Sequence, residues 1–117
     1  MTDGAKGIGA AIVRACAAES AKVVIVDRDA EHGEKSQAQF SSGGNCSFVL
    51  ADLGAEESCA QAVEQAVGNF GKLDALVNNA EVNDKGGLEH GNPNDYLGSL
   101  QRIWCTTTVW PIMHCRI

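Results

Sequence analysis

The sequence of 117 residues has no cluster of lysine and arginine, no long apolar run and no Cys-x-x-Cys pair. Fifteen acidic residues against nine basic ones give a formal net charge of −6. Binding a phosphate backbone normally needs a basic patch, so we expect no nucleic-acid partner. Apolar runs such as Val23–Val26 are too short to cross a bilayer, and the N-terminus lacks the apolar region of a signal peptide. We therefore expect neither membrane insertion nor secretion.

The sequence also lacks any spacing of cysteine and histidine that is typical of a metal site or a disulfide framework. Its cysteines are odd in number and widely separated, and its histidines have no partner motif. We interpret the cysteines as reduced thiols of a cytoplasmic protein and expect no metal. The residues concerned are Cys16, Cys46, Cys59, Cys105, Cys115, His32, His90 and His114.

What the sequence does contain is an alternation of helical and strand-like periodicity, which is typical of an α/β domain. The length allows one domain at most. Helices are predicted after the glycines near the N-terminus, over about 30–40, over 56–70 with Gly71 as a stop, and from Pro93 with Asn92 as cap. Strands are predicted at 23–26, 48–50 and 73–77. The continuous apolar run Val23–Val26 suits a parallel strand that is buried on both faces.

The glycine-rich stretch that opens the first helix indicates a phosphate-binding loop. Glycines let the backbone approach a pyrophosphate, and free N–H groups at a helix start bind its charge. Asp27, eighteen residues beyond Gly9 at the end of the next strand, is placed to accept hydrogen bonds from an adenosine ribose and to repel a 2′-phosphate. The alternative for Asp27 is a cap between strand and helix.

Four motifs stand in the order and spacing of one family: T-D-G-A-K-G-I-G from Thr2, the strand-end Asp27, the pair Asp52-Leu53, and N-N-A from Asn78. The sequence thereby resembles the short-chain dehydrogenase/reductase family, and residues 87–102 look most like its L-fucose dehydrogenase-type branch. The resemblance implies a partial Rossmann-like doubly wound parallel sheet over residues 1–102. It also implies NAD, with NADP less favoured, as the cofactor.

By the same resemblance, the cofactor-binding residues follow the family motifs. The resemblance implies that the loop residues bind the pyrophosphate and that Asp27 and Arg28 surround the adenosine ribose. Asp52 and Leu53 would flank the adenine, and Asn79 and Ala80 would lie beside the cofactor. The full set is Lys6, Gly7, Ile8, Gly9, Asp27, Arg28, Asp52, Leu53, Asn79 and Ala80.

The sequence departs from the family in four places. Asp3 and Glu81 stand where the family has glycine, and both carboxylates should weaken binding of a pyrophosphate. The family's first, central strand should precede Thr2, so we expect unpaired edges at Val23–Val26 and Leu73–Val77 and a chain prone to aggregation. The family's catalytic Ser and Tyr-x-x-x-Lys pair have no counterpart, and we assign no catalytic role to Tyr96, the single tyrosine.

The tail of residues 103–117 lacks helical periodicity. Back-translated and read from one nucleotide earlier, it permits a sequence similar to the family's next helix, including its catalytic Asn. We interpret the tail as out of frame after Arg102, with a divergent natural C-terminus as the alternative.

Two functions follow for this sequence. The first is an oxidoreductase by ancestry that moves hydride between NAD and a secondary alcohol or sugar hydroxyl, homo-oligomeric in its intact form. The second is a truncated, non-catalytic fragment that is inert or associates with an intact relative.

Overall fold

The computed structural model describes residues 1–41, 44–81 and 91–104. Two parallel strands and four helices alternate along these residues, which confirms the α/β class expected from the sequence. The elements are α1 (Gly7–Ala18), β1 (Val23–Asp27), α2 (Ala30–Phe40), β2 (Cys46–Leu50), α3 (Glu56–Phe70) and α4 (Pro93–Trp104).

β1 and β2 pair in parallel, with Val23 opposite Cys46 and Asp27 opposite Leu50. Alternate residues of a strand point to opposite faces of its sheet, and here both faces are covered. On one face Val23 and Ile25 pack with Val13 of α1. On the other, Val26 and Val49 pack with α3. Helices on both faces explain why β1 is a continuous apolar run, and they confirm the doubly wound arrangement.

The helix ends follow from local chemistry. The side chain of Asp29 caps α2 by accepting a hydrogen bond from the backbone N–H of His32 at 3.1 Å. Gly71 ends α3 in the left-handed conformation, with φ at 79°. Asn92, the expected cap of α4, accepts a hydrogen bond from the backbone N–H of Asn94 at 2.9 Å. α4 continues to Trp104, two residues past the predicted breakpoint at Arg102, and residues 105–117 lie outside the described part of the chain.

The prediction of a third strand at 73–77 is wrong, because the sheet of the described residues has two strands only. A strand needs a ladder of backbone hydrogen bonds to a neighbouring segment, and beside Val77 lies the short segment Met1–Asp3. The N–H of Thr2 donates to the carbonyl oxygen of Val77 at 3.1 Å. That single contact does not form a ladder.

The expectation of wholly unpaired edges needs a related correction. Met1–Asp3 lies between β1 and Val77 and forms an isolated parallel bridge from Thr2 to Val26. The N–H of Asp3 donates to the carbonyl oxygen of Val26, and the N–H of Val26 donates to that of Met1, each at 2.9 Å. Three residues therefore occupy one end of the central position of the sheet.

The amino group of Met1 donates a hydrogen bond to the carbonyl oxygen of Val24 at 2.9 Å. Burial lowers the pKa of this amino group from 8.0 to about 6. In the unfolded chain the amino group keeps its ordinary pKa. Below pH 6 the group is charged in both states, and folding must bury that charge, which lowers stability. Above pH 8 it is neutral in both states, and this cost is absent.

We expect the free energy of unfolding of the 117-residue chain to rise by about 2–3 kcal/mol between pH 6 and pH 8 from this group alone. Nα-acetylation keeps an N–H donor but removes the charge. Urea denaturation should therefore show the acetylated chain to be more stable than the unmodified one at pH 5.5, with the difference gone at pH 9. If the acetylated chain exceeded the unmodified chain in stability by the same amount at both pH values, burial of the charged amine would not be the cause of the difference.

Candidate functional site

The loop between residues 3 and 9 brings the backbone unusually close to itself. Asp3 and Gly7 have φ values of 51° and 59°, in the left-handed region that favours glycine. A Cβ added at Gly9 would collide with the carbonyl oxygen of Asp3 and lie 3.0 Å from the Nδ2 atom of Asn79. Gly9 is therefore required by the close approach of α1 to this loop.

α1 begins at Gly7 without a side-chain cap and without an acidic residue in its first turn. The N–H groups of a helix's first turn have no partner within the helix. They carry the positive end of the helix dipole, so this end of α1 can accept an anion. Ile8 in the same turn is 75% exposed.

Asp27 lies buried at the end of β1, 4% exposed, with both carboxylate oxygens in use. Oδ2 accepts a hydrogen bond from the backbone N–H of Ala5, and Oδ1 accepts one from that of Asp29, each at 3.0 Å. The carboxylate thus joins the glycine loop to the turn after β1. Asp27 therefore caps the turn between β1 and α2, as the alternative interpretation predicted. Each of its oxygens also has a second lone pair that could accept a further hydrogen bond.

Lys6 and His32 both contact Asp29, next to Asp27. The distances to Asp29 Oδ2 are 3.1 Å from Lys6 Nζ and 2.9 Å from His32 Nδ1. Hydrogen bonds from the backbone and then the ring of His32, followed by Lys6, hold the pKa of Asp29 well below its usual range. The Asp29 carboxylate therefore stays ionised at neutral pH, and it holds Lys6 at the mouth of the loop.

Two adjoining clefts open at the carboxyl end of β1. The first brings together five of the predicted residues: Asp27, Arg28, Asp52, Leu53 and Ala80. The second is lined by Lys6 together with Asp27 and Arg28. Gly7, Ile8 and Gly9 form the start of α1, and Asn79 lies behind the loop, where its Nδ2 atom donates to the carbonyl oxygen of Asp3 at 3.2 Å.

The first cleft is rich in carboxylates, because Asp3 and Glu81 line it beside Asp27 and Asp52. Burial, and then the charge of Asp27, raises the pKa of Asp3. Arg28 is the basic residue among those that line this cleft. The carboxylates of this cleft can accept hydrogen bonds from hydroxyl and amine groups of a ligand. An anionic group is instead favoured near Lys6 and the start of α1.

Thr2 is a site residue that the sequence analysis missed as an individual position. It is fully buried, and its Oγ1 atom accepts hydrogen bonds from the backbone N–H groups of Asn79 and Ala80, each at 2.9 Å. This hydroxyl fixes the N-N-A segment against the glycine loop and places Ala80 in the cleft wall. Threonine in a glycine-rich stretch directly before a helix was the available signal.

Other chemistry is limited within residues 1–41, 44–81 and 91–104. These residues contain no group of three or more side chains that could hold a metal ion. Cys16, Cys46 and Cys59 form no disulfide in this part of the chain, and burial raises the pKa of Cys46. No helix in this part of the chain combines the length and apolarity needed to cross a membrane. Cys105, Cys115, His90 and His114 lie outside the described residues.

Solved structures share this architecture. A 3-ketoacyl-(acyl-carrier-protein) reductase from Brucella melitensis, complexed with NADH, superposes with a TM-score of 0.83 at 34% sequence identity. A short-chain dehydrogenase from Burkholderia cenocepacia J2315, in complex with NADP, gives 0.89 at 31% identity. The alignments cover 97% and 98% of this chain and 48% of each of those chains.

Sequence comparison agrees with the structural likeness. The L-fucose dehydrogenase of Bos taurus is 39% identical over 80 residues, which are 68% of this chain and 28% of that protein. The chain thus spans less than a third of this curated relative and about half of the solved structures. The family model described as short chain dehydrogenase matches residues 1–114. With the parallel sheet, the glycine loop and the strand-end Asp27 in place, this match shows that the chain belongs to the short-chain dehydrogenase family.

Proposed function

We propose that this chain provides the dinucleotide-binding part of an oxidoreductase that transfers hydride between NAD and a secondary alcohol or sugar hydroxyl. The observation that carries the proposal is the position of Asp27, a buried carboxylate that both supports the glycine loop and lines the two clefts at the end of β1. The likeness to a bovine L-fucose dehydrogenase supports a sugar as substrate.

Two features of the glycine loop support binding of a dinucleotide. Gly9 leaves room where a Cβ would collide with the loop, and the uncapped start of α1 presents N–H groups to an anion. We propose that Lys6, Gly7, Ile8 and Gly9 hold the pyrophosphate in this region. When bound, the nicotinamide would accept or supply the hydride.

The two clefts suggest how the adenosine half is held. We propose that the free lone pairs of Asp27 accept hydrogen bonds from the ribose hydroxyls, with Arg28 beside them. Asp52 and Leu53 would flank the adenine, and Asn79 with Ala80 would border the cofactor. A 2′-phosphate near Asp27 would meet a like charge, which favours NAD over NADP. Members of the family have been solved with NADH and with NADP, so both cofactors occur in it.

We predict that Asp27→Ala reduces the ratio of the NADPH to the NADH dissociation constant by about tenfold. The substitution removes the repulsion between the Asp27 carboxylate and the 2′-phosphate, and about 1.4 kcal/mol of repulsion corresponds to a tenfold ratio. The measurement is the ratio of the two dissociation constants from fluorescence titrations. Asp27→Ala also removes the hydrogen bonds from Ala5 and Asp29, which should weaken the binding of both cofactors equally. The ratio of the two constants therefore reports the effect on the 2′-phosphate alone.

Asp74→Ala is the matched control for that ratio, because it removes the same charge from an exposed position whose partner is Lys72. It should leave the preference unchanged. Equal affinity of the unmodified chain for both cofactors would contradict the assignment of Asp27 to the ribose.

We also propose that the 117 residues bind cofactor without catalysing the reaction. General acid–base catalysis needs a group placed at the reacting hydroxyl. Tyr96, the single tyrosine of the sequence, is 63% exposed on α4 and does not line the described clefts. This is the second function considered above, a fragment that is inert by itself or associates with an intact relative.

The corresponding prediction is that the purified 117-residue chain produces no NADH from NAD with L-fucose, other sugars or secondary alcohols, including under conditions where NADH binds. The assay follows NADH absorbance over time. Turnover that scales with the amount of chain and survives further purification would show that a catalytic group is present.

The cysteines support a proposal for the cellular compartment. The three cysteines of the described residues form no disulfide, as is usual in a reducing compartment, and we propose the cytoplasm. For the intact enzyme we propose a homo-oligomer.

A further inference from the structure

Asp3 is the acidic residue of the glycine loop, at a position where the family motif has glycine. It lines both of the clefts at the carboxyl end of β1. The second of these clefts is the one that Lys6 lines, on the side where an anion is favoured. The charge of this one side chain therefore acts on both parts of the site.

The backbone fixes the position of Asp3. Its N–H donates a hydrogen bond to the carbonyl oxygen of Val26 at 2.9 Å, and its carbonyl oxygen accepts one from the Nδ2 atom of Asn79 at 3.2 Å. The same carbonyl oxygen lies against Gly9. Because both backbone polar groups of Asp3 are engaged, we expect the loop to hold its carboxyl group at the clefts whether or not that group is charged.

The charged side chains around Asp3 leave an excess of acid. In the second cleft three carboxylates face two basic side chains, and in the first cleft four carboxylates face one. Lys6 is also bound by Asp29 at 3.1 Å, and His32 contacts the same carboxylate oxygen. A proton on Asp3 would bring the second cleft from one excess negative charge to balance. The acidic residues are Asp3, Asp27, Asp29, Asp52 and Glu81, and the basic ones are Lys6 and Arg28.

Asp27 favours the uptake of that proton. The side chains of Asp3 and Asp27 form a hydrogen bond, and a hydrogen bond between two carboxyl groups needs a proton on one of them. The oxygens of Asp27 already accept from the N–H groups of Ala5 and Asp29, so Asp27 is the acceptor and Asp3 the donor. Burial, and then the charge of Asp27, raises the pKa of Asp3, while the two basic side chains oppose this rise.

An anion bound in the second cleft acts on the same equilibrium. The phosphates of a dinucleotide there would disfavour a charge on Asp3, because like charges repel. The carboxylic acid form of Asp3 lacks this repulsion and can donate a hydrogen bond. A proton that strengthens cofactor binding is itself bound more tightly when the cofactor is present, because the coupling between two ligands is reciprocal.

We propose, on the basis of the dinucleotide site proposed above, that Asp3 couples cofactor binding to a proton: the chain binds NAD tightly when Asp3 is a carboxylic acid and weakly when it is a carboxylate. Binding of NAD then becomes tighter as the pH falls, and it takes up part of a proton from solution. Glycine at this position would give a site without that dependence.

The test is calorimetric titration of the 117-residue chain with NAD from pH 4.5 to pH 8, in two buffers of different ionisation enthalpy. We expect the dissociation constant to rise by about fivefold over this range, and the heats in the two buffers to show proton uptake. Asp3→Asn removes the ionisable group but keeps a residue type that tolerates the positive φ of this position. This variant should bind NAD equally well at both pH limits, and about fivefold more tightly than the unmodified chain at pH 8.

Two further variants are controls. Asp74→Asn makes the same change on an exposed side chain paired with Lys72, outside the two clefts. His32→Gln removes from its contact with Asp29 a residue type that changes charge in this pH range. Both variants should keep the pH dependence of the unmodified chain. The Met1 amino group also titrates in this range, but it is common to all four chains and so cancels in the comparison.

A measurement without cofactor follows the proton itself. The side-chain carboxyl carbon of Asp3, observed by NMR, should titrate with a pKa above the ordinary value for aspartate, and addition of NAD should raise that pKa further. An ordinary pKa for Asp3, or a pH dependence that persists in Asp3→Asn, would overturn the coupling. So would NAD binding that is independent of pH in the unmodified chain. If NAD bound neither chain at any pH, the dinucleotide site itself would be refuted.

Discussion

Gly9→Ala should destabilise the fold by about 3 kcal/mol and abolish NADH binding, because the added Cβ has no free space. It would collide with the backbone carbonyl of Asp3 and approach the Nδ2 atom of Asn79 to 3.0 Å. Backbone atoms cannot move aside as a flexible side chain can. The loop would have to shift, and the hydrogen bonds that Asp3 makes to Val26 and Asn79 would be lost with it.

Gly68→Ala is the matched control for this substitution. Gly68 lies inside α3, and a Cβ there would have no neighbour within 4 Å. Alanine favours the helix over glycine, so this variant should be more stable by about 0.5–1 kcal/mol. Urea denaturation followed by circular dichroism measures both variants. If the two alanine variants had similar stability, the close approach at Gly9 would be wrong.

Thr2→Val should destabilise the chain by about 3 kcal/mol, although valine has nearly the same shape as threonine. The reason is that the Thr2 hydroxyl is the acceptor for the backbone N–H groups of Asn79 and Ala80. Valine would leave both donors without that acceptor beside a fully buried side chain. Each unsatisfied buried group is expected to contribute about 1–3 kcal/mol of the loss.

Thr2→Ser keeps the hydroxyl and removes only a methyl group, so we expect a loss of about 1 kcal/mol. Hydrogen exchange at the amides of Asn79 and Ala80 provides a second measurement. It should accelerate in the valine variant and change little in the serine variant. A serine variant as unstable as the valine variant would mean that packing of the methyl group, not the hydroxyl, holds this position.

Local sequence patterns determined most of the secondary structure and the choice of site. Helical periodicity depends on residues within a few positions of one another, and so do the cap that Asp29 provides at the start of α2 and the end of α3 at Gly71. The apolar run Val23–Val26 required cover on both faces, which the structure supplies. The order of the glycine loop, Asp27 and the N-N-A motif was sufficient to indicate the family.

Only the tertiary structure decided the pairing at the centre of the sheet. Residues 73–77 have the composition of a strand, yet they form no strand of the described sheet, because a strand depends on which segment lies beside it. The same holds for Thr2 and Asp27. The bond from the N–H of Ala80 to the Thr2 hydroxyl joins residues 78 positions apart, and the bond from the N–H of Ala5 to Asp27 spans 22. Contacts at such separations depend on how the whole chain closes around its core, and no local pattern records them.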